Sequence, residues 1–598
     1  MALSLNRAAR LRFRRLFRRR QKIVEAATQN AGAQFETDLI NRFDRLLQVK
    51  RFVSGWLALV LLISLCTVLQ TLALNNHYQT LQPVSGGVYN EGIVGAYSNA
   101  NPLYASGSVD SAVSRLIFAG LLKYDAKNQL VGDLASSYSV DATGQHYTVK
   151  LRPNLKWHDN KPLTAVDVAF TYHTIQNPDA RSPLLPSWQG ITITATDSQT
   201  ITFDLPNVLS SFPYSLTNGI VPEHILASVP PTQLRTNTFN TLQPVGAGPF
   251  MWQTLELGHS ADPAKATSFV ALQPFKDYYG GAPKLDGIIV RAYASRENMI
   301  EAYENRDINA MAGLIEVPKQ LRNEADLQEY SFASTAALMT FFRGGSGVLI
   351  DGSVRQALIK GANVADIIKG LPYQPKAVRE PLLLGQLGYD MKFQQSGYDE
   401  AAANAQLDAA GWIKGANGIR SKNGQPLSFR LYAENTPENT YVIKKLITDW
   451  KKIGANVSPV LQDLTDFQTT LEFHTYDALL YGISVGTDPD VYAYWDSTQA
   501  DVRAASRLNF SEYSSTTADA SLEAGRTRLD ANLRVIKYRP FLQAWQADAP
   551  ALGLYQPRFL YISRGPVYGL SERTLNTDSD RYNTAATWQI RTTRVTNE

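Results

Sequence analysis

The longest apolar run in the chain, Phe52–Leu74, passes 23 residues without a charge. At about 1.5 Å per helical residue it crosses a hydrocarbon core of about 30 Å with little to spare, which predicts one transmembrane helix. Residues 75–85 are polar and carry Pro83, and they read as a linker. Beyond them, short stretches of period two alternate with stretches of period 3.6. Tyr147, Val149 and Leu151 alternate with Thr148, Lys150 and Arg152, as in a half-buried strand. A further short strand is expected to end at Trp157, before a turn at His158-Asp159-Asn160-Lys161 in which Asn160 tolerates the left-handed conformation. Thr164-Ala165-Val166-Asp167 then resembles a capping box, opening a helix that carries Val168, Tyr172 and Ile175 on one face and stops at Asn177-Pro178. Two strands are expected around Asp197-Ser198. Helices are expected over Ala294–Tyr303, Val354–Ile368 and Tyr441–Ile453. Strands at Leu427–Tyr432 and Asn456–Leu461 flank the last of these as a β-α-β unit. No repeat of fixed period is present, and the mixture predicts an α/β protein with more than one sheet.

Charge adds direction to this pattern. Residues 1–51 hold 13 Lys/Arg against 4 Asp/Glu, most of the excess within Arg10–Lys22. The positive-inside rule keeps such a leader cytoplasmic and exports everything after Asn75. A face bearing Phe35, Leu39, Phe43, Leu46 and Leu47 predicts an amphipathic helix leading into the span. The leader is too long for a cleavable signal, and Leu65 is too bulky to precede a lipidated Cys66, so an uncleaved anchor is expected. Of 58 basic and 54 acidic residues in the chain, 45 and 50 remain beyond the leader. That net negative balance argues against nucleic acid as a partner of the exported part. With Cys66 the only cysteine, no intramolecular disulfide can form, and roughly 520 exported residues need two or more hydrophobic cores.

No catalytic, metal or cofactor constellation emerges. The seven histidines never sit at i, i+4 around a glutamate, and no nucleophile elbow, Walker loop or Rossmann fingerprint is present. Gly246-Ala247-Gly248 precedes Pro249 rather than a helix, so it does not read as a phosphate cradle. Asp488-Pro489-Asp490 lacks the further ligands of a calcium loop and reads as a turn. With no catalytic set and 10% aromatic residues, an exported chain of this size reads as a binder, not an enzyme.

Several motifs in fixed order then resemble one family. They are Asn101-Pro102-Leu103, Asp133-Leu134-Ala135-Ser136-Ser137-Tyr138, the Tyr147–Arg152 strand, Lys156 to Val168, Gly246 to Phe250, Tyr278 to Pro283, Val354 to Leu358, Asp488-Pro489-Asp490 and Asp548 to Tyr555. Over about Gly87 to Gly569 the chain is similar to the family 5 extracellular solute-binding proteins, which serve ABC importers of oligopeptides, dipeptides and nickel. The resemblance implies a two-lobed periplasmic-binding-protein-like clamshell (class II, large peptide-binding type). It implies lobe I from 86–335 with a subdomain near 120–205, lobe II from 336–552, and a return to lobe I over 553–598. Two crossing strands would form the hinge, and a peptide or other small solute would be held between the lobes and handed to an ABC permease and its ATPase.

The same resemblance places ligand-binding strands at Ser106, Gly107 and Ser108 in the first lobe and at Ile483, Ser484, Val485 and Gly486 in the second. Peptide-binding members carry an Asp where this chain has Val485, so the usual partner of a ligand α-ammonium is missing. Arg343 stands near the position of a familiar Asn and is a candidate partner for a ligand anion. The expected protein is thus a membrane-anchored importer component, N-terminus cytoplasmic, binding peptide, oligosaccharide or metal chelate. A sensor or adhesion receptor on the same clamshell is the alternative.

Overall fold

The computed structural model describes residues 14–16, 18–23, 25–26, 50–258, 267–345, 347–504 and 507–596 of the 598-residue chain. The leader helix expected through Phe35 and Leu47 lies outside the described residues. The chain divides into two units, Met1–Gln82 with Thr592–Glu598, and Pro83–Arg591. In the first, a continuous helix runs Lys50–Tyr78, and its segment Arg51–Ala73 is long and apolar enough to cross a membrane. The expected linker is structured. The helix runs on to Tyr78 and the strand Gln79–Val84 pairs with Arg591–Thr596. Local periodicity could not show this, because the partner strand lies at the far end of the chain.

The second unit holds two lobes. In the first lobe, an eight-stranded mixed sheet runs in the order Thr574–Leu575, Leu327–Ser334, Arg558–Arg564, Ala310–Leu314, Val88–Val94, Gly287–Tyr293, Thr267–Pro274 and Phe250–Leu257. A four-stranded antiparallel sheet of Ala135–Val140, His146–Leu151, Thr200–Asp204 and Thr192–Ala195 shares its core. The capping box forms as expected. The Asp167 carboxylate takes the Thr164 amide at 2.9 Å and also the Glu223 amide at 3.0 Å, so the shorter acid ties the helix start to a second element. Asn160 adopts φ 68°, completing the turn after Trp157. The short strand expected at Trp157 is reduced to a single bridge, Lys156 to Pro162.

The second lobe is built on a six-stranded sheet ordered Lys376–Ala377, Ala551–Gln556, Ala336–Phe342, Ala478–Ser484, Ser428–Glu434 and Asn456–Gln462. Both faces are covered. Leu338 and Phe342 enter one apolar cluster, while Ala337, Met339 and Phe341 enter another on the opposite face. This explains why the strand is apolar at both parities, with Thr340 its one polar residue, instead of alternating. The β-α-β unit forms with Ser428 in register with Asn456. Its helix, Pro437–Lys452, buries Val442, Ile443, Leu446 and Trp450. The helix expected over Val354–Ile368 is instead two, Gly352–Lys360 and Val364–Lys369. The Asn363 side chain accepts from the Asp366 amide and starts the second helix afresh. The chain passes between lobes at Thr335 and again at Pro557, each joining a strand of one sheet to a strand of the other. Residues up to Gln556 therefore belong to the second lobe's sheet, slightly beyond the expected return at 553.

Candidate functional site

The second-lobe stretch lies at the hinge. Ile483 and Ser484 end the strand Ala478–Ser484, with Ser484 opposite Ala336. The chain then turns across the crossover, and the amides of Val485 and Gly486 both donate to the Thr335 carbonyl, at 2.9 and 3.2 Å. Gly486 takes φ 74°, a conformation that a side chain would strain, and its carbonyl accepts from Gln386 Nε2 at 2.7 Å. Val485 is buried in the apolar cluster of the second lobe beside Ile483. Its side chain therefore serves the core, as an Asp there could not without a partner. Ser484 is exposed, and its carbonyl accepts from Tyr494 at 2.9 Å.

The first-lobe stretch takes another form than expected. Ser106 and Gly107 form an extended entry to the helix Ser108–Ile117, with Gly107 at its N-cap, so the stretch is not a strand. All three residues are exposed, and among the described residues none donates its amide to a backbone carbonyl. Arg343 does not join the site. It follows the strand Ala336–Phe342 at the end remote from Thr335, roughly 26 Å away at about 3.3 Å per residue. There it pairs with Glu512 at 3.0 Å, and the Glu512 carboxyl is held below its usual range by His474 and then by Arg343. That makes it a structural arginine of the second lobe.

What joins the lobes was not legible as a motif. Thr487 Oγ1 donates to Asn576 Oδ1 at 2.8 Å and accepts from Asn128 Nδ2 at 2.9 Å. Asn576 Nδ2 donates to Asn128 Oδ1 at 2.8 Å, and Thr335 at the hinge also donates to Asn576, at 3.0 Å. Beside this network Tyr124 stacks on Tyr214 with ring centroids 6.3 Å apart. Burial, then the Asp580 charge, pushes the Tyr124 phenol up, while burial and Asp488 push Tyr214 up to about 12. Both therefore stay neutral donors at physiological pH. A second contact pairs Ser211 Oγ with Asp490 at 2.8 Å and the Ser210 amide with the Arg526 carbonyl at 2.9 Å. Asp488 accepts both guanidinium nitrogens of buried Arg534 at 2.8 and 2.6 Å, and Asp490 meets Arg526 at 3.2 Å. Both acids of the expected turn are thus satisfied by arginine, and among the described residues no cluster of His, Cys, Asp and Glu could hold a metal.

The profile described as bacterial extracellular solute-binding proteins, family 5 middle region, matches residues 129–504. The chain belongs to that family. Among its relatives is the oligopeptide-binding protein AppA of Bacillus subtilis, 25% identical over 497 residues that cover 80% of this chain and 87% of AppA. The solved structure of that AppA with a nonapeptide superposes with a TM-score of 0.70 at 23% identity, covering 85% of this chain and 100% of the other. NikZ of Campylobacter jejuni in complex with Ni(L-His) gives 0.73 at 23% identity, covering 84% and 99%. These likenesses fix the two-lobed fold of this solute-binding protein. Asn576, which bonds Thr487 beside Gly486 of the second lobe, precedes Thr577, which lines a first-lobe cavity together with Ala105.

Proposed function

We propose that this solute-binding protein is held at the outer face of a membrane by the helix within Phe52–Leu74. There it closes its two lobes over a short peptide and presents it to an ABC permease served by an ATPase. The observation that carries the reading is a pair of separate sheets connected by chain crossovers at Thr335 and Pro557, with the lobes otherwise meeting through polar contacts such as Asn128 to Thr487. Two linkers of one residue each allow rotation, and polar contacts such as Thr487 to Asn576 break and form without disturbing either core. Exposed backbone at Ser106–Ser108 and the exposed end of a strand at Ser484 offer sequence-independent donors and acceptors to an extended ligand. Peptide is favoured by the AppA relative, described as oligopeptide-binding. The buried Val485 supports ligands whose N-terminal ammonium is not the principal anchor. Tethering by the basic leader and its helix keeps the binder at high effective concentration beside its permease.

Native mass spectrometry of the full-length chain, purified in mild detergent without denaturation, tests the reading. Co-purified short peptides of varied sequence are expected. Retention of one non-peptide solute in stoichiometric amount would replace peptide as the cargo.

A further inference from the structure

This inference rests on the peptide reading above and concerns which part of the ligand the first lobe grips. The helix Ser108–Ile117 buries Val109, Ala112, Val113, Leu116 and Ile117 in the lobe, while Ser111, Arg115 and the buried Ser114 line a cavity beside it. The cavity measures about 210 Å³ and is closed elsewhere by Asn218, Thr577 and Ser579 among others. Among the described residues Arg115 is the one charged group in its wall. Ala105, next to the exposed Ser106, sits at its edge, and Thr577 adjoins the Asn576 that meets the second lobe. The cavity therefore lies on the first-lobe wall of the cleft.

We propose that this cavity seats the C-terminal carboxylate of the peptide, gripped by Arg115 with the hydroxyls of Ser111 and Ser114. A guanidinium offers five donors in a planar fork that matches a carboxylate. In the structure Arg115 uses two, both long, at 3.4 Å to the Thr217 carbonyl and 3.3 Å to Asp580. Among the described residues its other donors, and the Ser111 and Ser114 hydroxyls, have no partner. Among the described residues Asp580 is the one acid that touches Arg115, and its charge is met from its own helix end. Its other oxygen takes the amides of Asn576 at 3.2 Å and Thr577 at 2.9 Å. Arg115 thus keeps a free edge for a second anion. The size selects an end group. The cavity equals the liquid volume of about seven waters at about 30 Å³ each, below the roughly 300 Å³ at which whole-ligand pockets begin. An anchor on the C-terminus also fits a second lobe whose Val485 offers no charge to the N-terminus.

The full-length chain in detergent is incubated with an equimolar mixture of tri- to pentapeptides made as free acids, as C-terminal amides and as N-acetylated acids, and retained species are read by native mass spectrometry. Free acids are expected to exceed amides at least tenfold, with N-acetylation making little difference. Arg115→Gln is expected to erase the acid preference, and Arg115→Lys to restore part of it, at an unfolding midpoint close to wild type. If Arg115→Gln fails to fold, the wild-type ratio of acids to amides decides alone. Equal retention of acids and amides overturns the carboxylate seat and leaves peptide binding intact. Retention of no peptide in any form overturns the peptide reading and the seat with it.

Discussion

Glu380 carries the most exposed consequence at the scale of single residues. It is fully buried in the second lobe, and among the described residues the one group favouring its charged form is the Asp390 backbone, which burial outweighs. Burial raises its pKa to about 8, against an ordinary value near 4.5. The unfolded chain therefore loses this proton first. The stabilising contribution is fully present below pH 4.5 and is lost as pH rises through 8. Glu380→Gln should flatten that slope, so that the variant gains in melting temperature over wild type more at pH 8 than at pH 5. A parallel pair of curves would place the group in water. The Arg534–Asp488 pair makes the complementary case. Arg534→Met leaves a buried carboxylate uncompensated and should cost about 3–5 kcal/mol, read as a lower midpoint of thermal unfolding. Adding Asp488→Asn should return part of the loss, because the stranded charge is then gone. Sequence showed the turn at Asp488-Pro489-Asp490 but not this pairing, since Arg534 sits far along the chain on the helix Ala531–Asp548.

Among the elements, the Gly/Pro connector before Phe250 explains itself by close approach. A Cβ on Gly246 would stand 2.0 Å from the Ile117 carbonyl, and one on Gly248 would stand 2.6 Å from that of Leu116. The Gly248 amide donates to Ile117 at 2.7 Å, and His158 clamps the same loop, accepting from the Gly246 amide at Nδ1 and bonding the Gly248 carbonyl through Nε2. Burial lowers the His158 pKa to about 4, so the ring stays neutral in this role. Gly246→Ala should push the loop off the helix that carries Arg115. A fall in melting temperature together with weaker ligand retention is expected, whereas an unchanged protein would show the contact to be soft. Elements with strong local signals were readable in advance: the capping box at Thr164, the β-α-β unit around Trp450, and the apolar helix after Phe52. The strand Gln79–Val84 was not, because its partner is remote in sequence, and the break at Asn363 was not, because an Asn cap on the Asp366 amide leaves the apolar periodicity on either side unbroken. The first-lobe ligand stretch was placed by resemblance but given the wrong form, since nothing local distinguishes an extended helix entry from a strand edge.

For the whole molecule, function is a matter of two cores moving about two crossovers. Asn576 links Thr335, Thr487 and Asn128, so it couples the hinge to both lobes. Asn576→Leu removes these bonds at about 1 kcal/mol net each and should weaken ligand binding about tenfold or more, without a matching fall in the stability of either core. The two-lobed plan was legible from ordered motifs, but the contacts between the lobes were not, because Asn, Thr and Ser carry no pattern of their own. The central claim, closure over a ligand, is tested most directly by a distance across the opening. Spin labels at Thr143 and Arg528, exposed residues flanking the contact between Gly144 and Leu529, report on it in a Cys66→Ser background. Pulsed dipolar spectroscopy should show a longer, broader distance in ligand-free protein that collapses to one short distance as the short-peptide mixture is added. A single distance unmoved from ligand-free to saturated protein would contradict the account.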